Sequence, residues 1–149
     1  MEFDYAKEPG RELLNSNRVS NDKPSVSIIT PYYNAGKHFE QTFNCVMNQT
    51  FPWFEWIIVD DGSTDKPSLD TLERLSKQDT RIRVLHQSNQ RQAAARNAAI
   101  KHSTTDIIVP LDTDDLIAPP FIEELYFALQ KNPDAAWAYT DSVEVGRPR

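Results

Sequence analysis

The residues best equipped for chemistry stand in Leu111-Asp112-Thr113-Asp114-Asp115, where three carboxylates fall within four positions, directly after the apolar run Ile107-Ile108-Val109. Two full charges about 4 Å apart repel by roughly 4 kcal/mol at an effective dielectric near 20. Such crowding calls for a compensating partner. Oxygen ligands with no histidine or cysteine beside them suit a hard cation, Mg2+ or Mn2+, which keeps open positions for substrate phosphates. The alternative is a solvated acidic loop capping the helix after Pro119-Pro120, because aspartates favour helix N-termini.

Three other uses of the same residues can be weighed. A calcium loop starting at Asp112 would place Glu123 at its twelfth position, but Ile117 stands at the sixth, where glycine is needed, and two prolines interrupt it. A dinucleotide site needs a glycine-rich turn, and Gly10, Gly36, Gly62 and Gly146 fit neither that spacing nor a phosphate-binding loop. A diphosphate would therefore be held by metal. A phosphoacceptor receiver needs a lysine at a later strand end, and Ala135 to Arg149 contains none.

The elements that must position these residues follow from the pattern of apolar runs. Residues 1–24 are polar without sustained periodicity and are expected to form an arm, with a short helix around Arg11–Asn15. From Ser25 onward, short apolar runs alternate with helical stretches, the sign of a mainly parallel sheet with crossover helices on both faces. Strands are predicted at Val26–Ile29, Glu55–Val59, Ile82–His86, Ile107–Leu111 and Ala135–Thr140. Helices are predicted over Gly36–Thr50, with Phe39, Phe43, Val46 and Met47 on one face, and from Pro67, with Leu69, Leu72 and Leu75 inward. Two more are predicted, an alanine-rich one over Gln92–His102 and one over Phe121–Gln130 that turns Phe121, Ile122, Leu125, Tyr126 and Leu129 inward. Trp53, Trp56 and Trp137 are expected to pack in the core or on the sheet. On this reading Thr30-Pro31-Tyr32-Tyr33-Asn34, Asp60-Asp61-Gly62-Ser63-Thr64-Asp65 and the acidic cluster all sit at carboxyl ends of strands, the rim where open α/β sheets bind ligands.

Composition narrows the partners. A chain of 149 residues is long enough for one domain with a real core. The net charge of -6 argues against a nucleic-acid partner, since phosphate backbones need a basic face. Cys45 is the only cysteine, so neither an internal disulfide nor a cysteine zinc cluster is expected, and His38, His86 and His102 lack metal-ligand spacing. With no apolar run near the roughly 20 residues of a membrane span and no signal peptide at the start, cytoplasmic residence is expected.

The motifs taken together carry a resemblance. Val26 to Asn34 (VSIITPYYN), Glu55 to Asp65 (EWIIVDDGSTD), Asn89 to Ile100 (NQRQAAARNAAI) and Leu111 to Asp115, in this order and spacing, resemble the N-terminal half of family 2 glycosyltransferases. The resemblance runs from about Val26 to Asp141. It implies a Rossmann-like glycosyltransferase A-type fold over residues 25–149, a nucleotide diphosphate sugar as donor, expected to be a UDP-sugar, and Mn2+ or Mg2+ as cofactor. It implies residue roles as well. Pro31 and Tyr33 would form the wall for the base, Asp61 with Asp60 beside it would accept the base N–H, and Asp114 would bind metal, with Asp112 near the ribose or the metal. Asp115 would orient the sugar or cap a turn. Arg96 would neutralise aspartates or phosphates, or form a structural ion pair. The family usually has glycine where this chain has Arg91, whose side chain would reach the diphosphate or narrow the pocket.

The reaction so implied is sugar transfer with inversion to an acceptor hydroxyl, carbohydrate or lipid-linked. In the resembling family the catalytic base lies beyond the acidic cluster, so it is expected past residue 149 and the chain is expected to be a truncated piece lacking the acceptor half. That would expose one side of the sheet and favour a homodimer, and would place a full-length protein peripherally at the inner membrane face. A non-catalytic nucleotide- or metal-binding module is the other reading of the same motifs.

Overall fold

The computed structural model describes residues 23–142, so most of the arm, including the helix expected around Arg11–Asn15, lies outside the described residues. Four parallel strands, β1 (Val26–Tyr32), β2 (Phe54–Asp60), β3 (Ile82–His86) and β4 (Ile108–Pro110), form one sheet in the order β3-β2-β1-β4. Between and after them come helices α1 (His38–Met47), α2 (Lys66–Ser76), α3 (Arg91–His102) and α4 (Phe121–Lys131).

The central strands are apolar on both faces because both faces are covered. Val26, Ile28, Trp56 and Ile58 pack with Phe39, Phe43 and Val46 of α1, Leu72 and Leu75 of α2 and Ile122 of α4. The alternate residues Ile29, Ile57 and Val59 turn to the other face, against Ala95 and Ala99 of α3. Those two alanines are one helical turn apart, so α3 presents only methyl groups and its axis approaches the sheet closely. Inside the first cluster Trp56 Nε1 donates to Thr30 Oγ1 at 2.9 Å, so the buried indole carries no unpaired donor.

A second polar network closes the opposite, amino-terminal rim. The buried Ser27 hydroxyl lies 2.6 Å from Glu55 Oε1, 2.7 Å from Ser103 Oγ and 2.8 Å from Thr105 Oγ1. The same Glu55 oxygen accepts from Thr104 N at 2.6 Å and from Thr104 Oγ1 at 2.9 Å, and Arg83 Nη2 stands 3.8 Å from the other oxygen. Burial alone would push the Glu55 carboxyl up. The hydrogen bonds from Ser27 and Thr104, aided by Arg83, outweigh it and hold the group below its ordinary value.

The structure departs from the periodic reading in four places. β1 runs on to Tyr32 through Pro31. Leu111 N donates to Ile29 O, so by alternation Pro31 also faces the β4 side, where the ladder has ended and a missing N–H costs nothing. β4 is shorter than expected, three residues ending at Pro110. The predicted strand Ala135–Thr140 does not form, because a strand needs a partner ladder and β4 offers three residues of which one is proline. Trp137 and Tyr139 consequently stand 72% and 76% exposed, stacked on each other, so Trp137 is no core residue.

The fourth departure is part of the inward face of α4: Ile122 is buried and Phe121 and Tyr126 pack against the core as expected, but Glu123 and Phe127 are buried as well, and Leu125 and Leu129 are only half-buried. Its amino end is hooked to the chain after α1: Gln49 Nε2 donates to Ala118 O at 2.8 Å, Ile122 N donates to Gln49 Oε1 at 3.0 Å, and Thr50 Oγ1 donates to Glu123. These polar ties fix the amino end of the helix and give the buried Glu123 a partner.

Candidate nucleotide-binding cleft

All four strands end at one rim, and the loops that follow them build the site. β1, β2 and β3 progress in one direction, whereas β4 lies on the other side of β1, so the strand order reverses beside the carboxyl end of β1. Such a reversal opens a crevice between diverging loops.

The loop after β1 is clamped to the loop after β2. Asn34, at φ 47°, accepts through Oδ1 from Thr64 N at 2.9 Å and Asp65 N at 3.0 Å, while its own N–H donates to Ser63 Oγ at 3.0 Å. Asp65 then caps α2, accepting from Ser68 N at 2.9 Å. Asp60 is buried beneath the rim, where Oδ1 accepts from Ser63 N and Oδ2 lies 3.0 Å from His86 Nδ1. Both of its oxygens thus serve the loop.

Asp61 is held differently. Its N–H extends the ladder to Tyr32 O at 2.8 Å, and Oδ1 accepts from Gln87 Nε2 at 2.7 Å and Gln90 N at 2.8 Å. Oδ2 has no partner among the described residues. Gly62 permits this arrangement, being at φ 74° with space for no side chain: a Cβ there would lie 2.9 Å from Asn89 N.

The acidic cluster forms the loop after β4 and is pinned from α1. The buried Thr42 hydroxyl lies 2.8 Å from Thr113 O and 2.9 Å from Asp115 O. Asp115 closes the turn, accepting from Asp112 N at 3.2 Å. Asp112 is neutralised from α3 by Arg96 Nη2 at 2.6 Å and accepts from Gln92 Nε2 at 3.1 Å, and Arg96 Nε is buried without a partner among the described residues. Asp114 is exposed and has no partner among them.

These loops enclose an open cleft of about 410 Å³. Four of the residues singled out in the sequence line it, namely Pro31, Tyr33, Asp61 and Arg91. Tyr33 is 51% exposed, with its ring free for a ligand. Asn89, Gln92, Thr113 and Tyr32 complete the lining and escaped sequence reasoning. Tyr32 gives the cleft a fixed floor, its hydroxyl donating to Ser68 O at 2.7 Å and its acidity weakened by burial. The polar run Gln87 to Gln92 at a strand end was the available signal for Asn89 and Gln92. Asp60, Arg96, Asp112, Asp114 and Asp115 are not in the lining: Asp112 and Asp114 flank Thr113 in sequence, Asp112 accepts from the lining residue Gln92, and Asp60 holds the loop after β2.

Among the described residues no three histidine, cysteine, aspartate or glutamate side chains converge into a cation cage. Of the two carboxylates expected to bind metal, Asp112 has both oxygens engaged by Arg96 and Gln92, whereas Asp114 is exposed and could donate oxygen to a hard ion that takes its other ligands from water and phosphate. Among the described residues no helix is long and apolar enough to cross a membrane.

Comparison with known proteins accords with this geometry. The model of glycosyl transferase family 2 matches residues 27–148. Glycosyltransferase GlyG of Streptococcus pneumoniae serotype 4 is 38% identical over 107 residues, covering 71% of this chain and 35% of that protein. The crystal structure of Staphylococcus aureus TarS residues 1–349 in complex with UDP-GlcNAc superposes with a TM-score of 0.67 at 26% identity, over 73% of this chain and 32% of TarS. The mannosyltransferase PcManGT of Pyrobaculum calidifontis, solved with GDP-Man and Mn2+, shares the fold with a TM-score of 0.65 at 24% identity, over 80% of this chain and 37% of its own. The chain thus spans about a third of the length of each of these proteins.

Proposed function

The chain belongs to glycosyl transferase family 2, and on that premise we propose that its cleft binds a nucleotide diphosphate sugar, a UDP-sugar, as the donor in an inverting transfer to an acceptor hydroxyl. The observation that carries the reading is Asp61. A carboxylate with one oxygen fixed by Gln87 and Gln90 and the other unpartnered, in the same lining as Pro31 and the exposed ring of Tyr33, fits a flat base that offers an N–H at its edge and a face for stacking.

In this reading Asp112 lies near the ribose and metal, Asp114 is the direct metal ligand, and Asp115 faces the sugar in addition to closing its turn. A bound Mn2+ or Mg2+ would supply positive charge against the leaving diphosphate. Arg96, already paired with Asp112, keeps that carboxylate from repelling the incoming phosphates. The acceptor oxygen would bond to the anomeric carbon as the carbon–diphosphate bond breaks, with the hydroxyl proton passing to a carboxylate base. No residue of this chain is assigned as that base, and the acceptor, a carbohydrate or a lipid-linked sugar, would bind outside the cleft described here.

Calorimetry tests the reading. UDP is expected to bind, with affinity increased by Mn2+ about tenfold or more, and Asp114→Ala is expected to remove the increment due to Mn2+ while leaving metal-free binding in place. Absence of UDP binding in both conditions, or an increment untouched by the substitution, refutes it.

A further inference from the structure

One backbone position in the cleft is occupied by a residue its conformation disfavours. Arg91 sits at φ 70°, where an L side chain crowds its own carbonyl. Elsewhere among the described residues, positive φ falls to Gly36, Gly62 and Asn34, the residue types that tolerate it. Glycine would meet the geometry at position 91 without strain, so the arginine has to be explained by its side chain.

That side chain lines the cleft, is exposed, and makes no hydrogen bond or ion pair among the described residues. Arg96, the arginine that reaches the same rim from α3, is already engaged with Asp112. Meanwhile the rim carries Asp61, Asp112, Asp114 and Asp115, on a chain of net charge -6. An anionic ligand entering such a rim meets repulsion unless an uncommitted positive charge stands beside it. Arginine's planar fork is suited to phosphate oxygens.

We propose that Arg91 is a ligand-binding residue that contacts the diphosphate directly, so that the cleft prefers a nucleoside diphosphate over the bare nucleoside even without a divalent cation. This rests on the donor reading above. The strained backbone is kept for the charge it presents.

The test is titration of UDP and of uridine in EDTA with the wild-type chain, Arg91→Gly and Arg91→Lys, beside thermal melting of each. The wild type is expected to bind UDP about tenfold more tightly than uridine, the gain of roughly one charge-assisted contact. Arg91→Gly should shrink that ratio to about twofold with uridine affinity unchanged and a melting temperature no lower than wild type, and Arg91→Lys should keep most of the ratio. A ratio unaffected by Arg91→Gly, an equal loss of both ligands, or a wild type that binds UDP only with Mn2+ overturns the proposal and leaves the donor reading standing. A lowered melting temperature in Arg91→Gly overturns the strain argument. Failure to bind either ligand under any condition sinks the donor reading, and this proposal with it.

Discussion

Replacing Glu55 by glutamine should make the fold less stable at neutral pH and remove part of its sensitivity to acid. In the folded chain this carboxylate accepts from Ser27 and twice from Thr104, with Arg83 nearby, and its side chain is only 15% exposed. Hydrogen bonds to a charged group contribute about 1.5–3 kcal/mol each, and a glutamine oxygen would retain part of them, so a loss of about 2 kcal/mol is expected. For a chain of this length that is a fall of about 6 °C in melting temperature. The carboxyl is held below its ordinary value in the folded state. Its contribution is therefore fully present above the ordinary carboxylate range and disappears as pH falls through the depressed folded value. Urea unfolding of wild type and Glu55→Gln from pH 7 down to about pH 3 measures this, since other carboxylates cancel in the difference. The gap between the two proteins should narrow as the pH drops. A gap that stays constant over that range, or no gap at pH 7, would show that the network does not select the charged form. UDP affinity well below the melting temperature should not change, because this network lies at the rim opposite the cleft.

Two further substitutions test how the cleft is built. Gly62→Ala places a methyl 2.9 Å from Asn89 N at a φ of 74°, so the loop carrying Asn89 must shift; a stability loss of about 1–2 kcal/mol in urea unfolding is expected, with UDP affinity in calorimetry reduced several-fold. Thr42→Val removes the hydroxyl that pins the carbonyls of Thr113 and Asp115, and titration should show the Mn2+-dependent part of UDP binding weakened several-fold while uridine binding stays as it was.

What could be read in the sequence is what short-range pattern controls. Runs such as Trp56-Ile57-Ile58-Val59 can be covered only on both faces, which implied the parallel sheet, and the polar segments after them had to fall at its carboxyl rim. The individual residues came from the family resemblance, and four of those it pointed to, Pro31, Tyr33, Asp61 and Arg91, line one cleft at that rim. The misses share a cause. Thr42 is 71 positions from Thr113, Ser27 is 76 from Ser103, and Thr50 is 73 from Glu123, so nothing in local spacing marks these hydrogen bonds. The burial of Glu123 on α4 was missed for the same reason, because its partner Thr50 is remote in sequence. Ala135–Thr140 has the composition of a strand, but a strand exists only beside a free ladder. The engagement of Asp112 by Arg96 was one of two alternatives the sequence left open, and the left-handed backbone at Arg91 was signalled only by the glycine usual at that place.

The short fourth strand has one more effect. Leu111 turns its N–H toward β1, so by alternation Val109 does too, while Ile108 and Pro110 face outward. Proline has no hydrogen to give, and the flank of the sheet offers a single main-chain donor over its three residues. An added strand finds one N–H there beside the carbonyls of Ile108 and Pro110, so that border is a shorter and donor-poor template for edge-to-edge pairing.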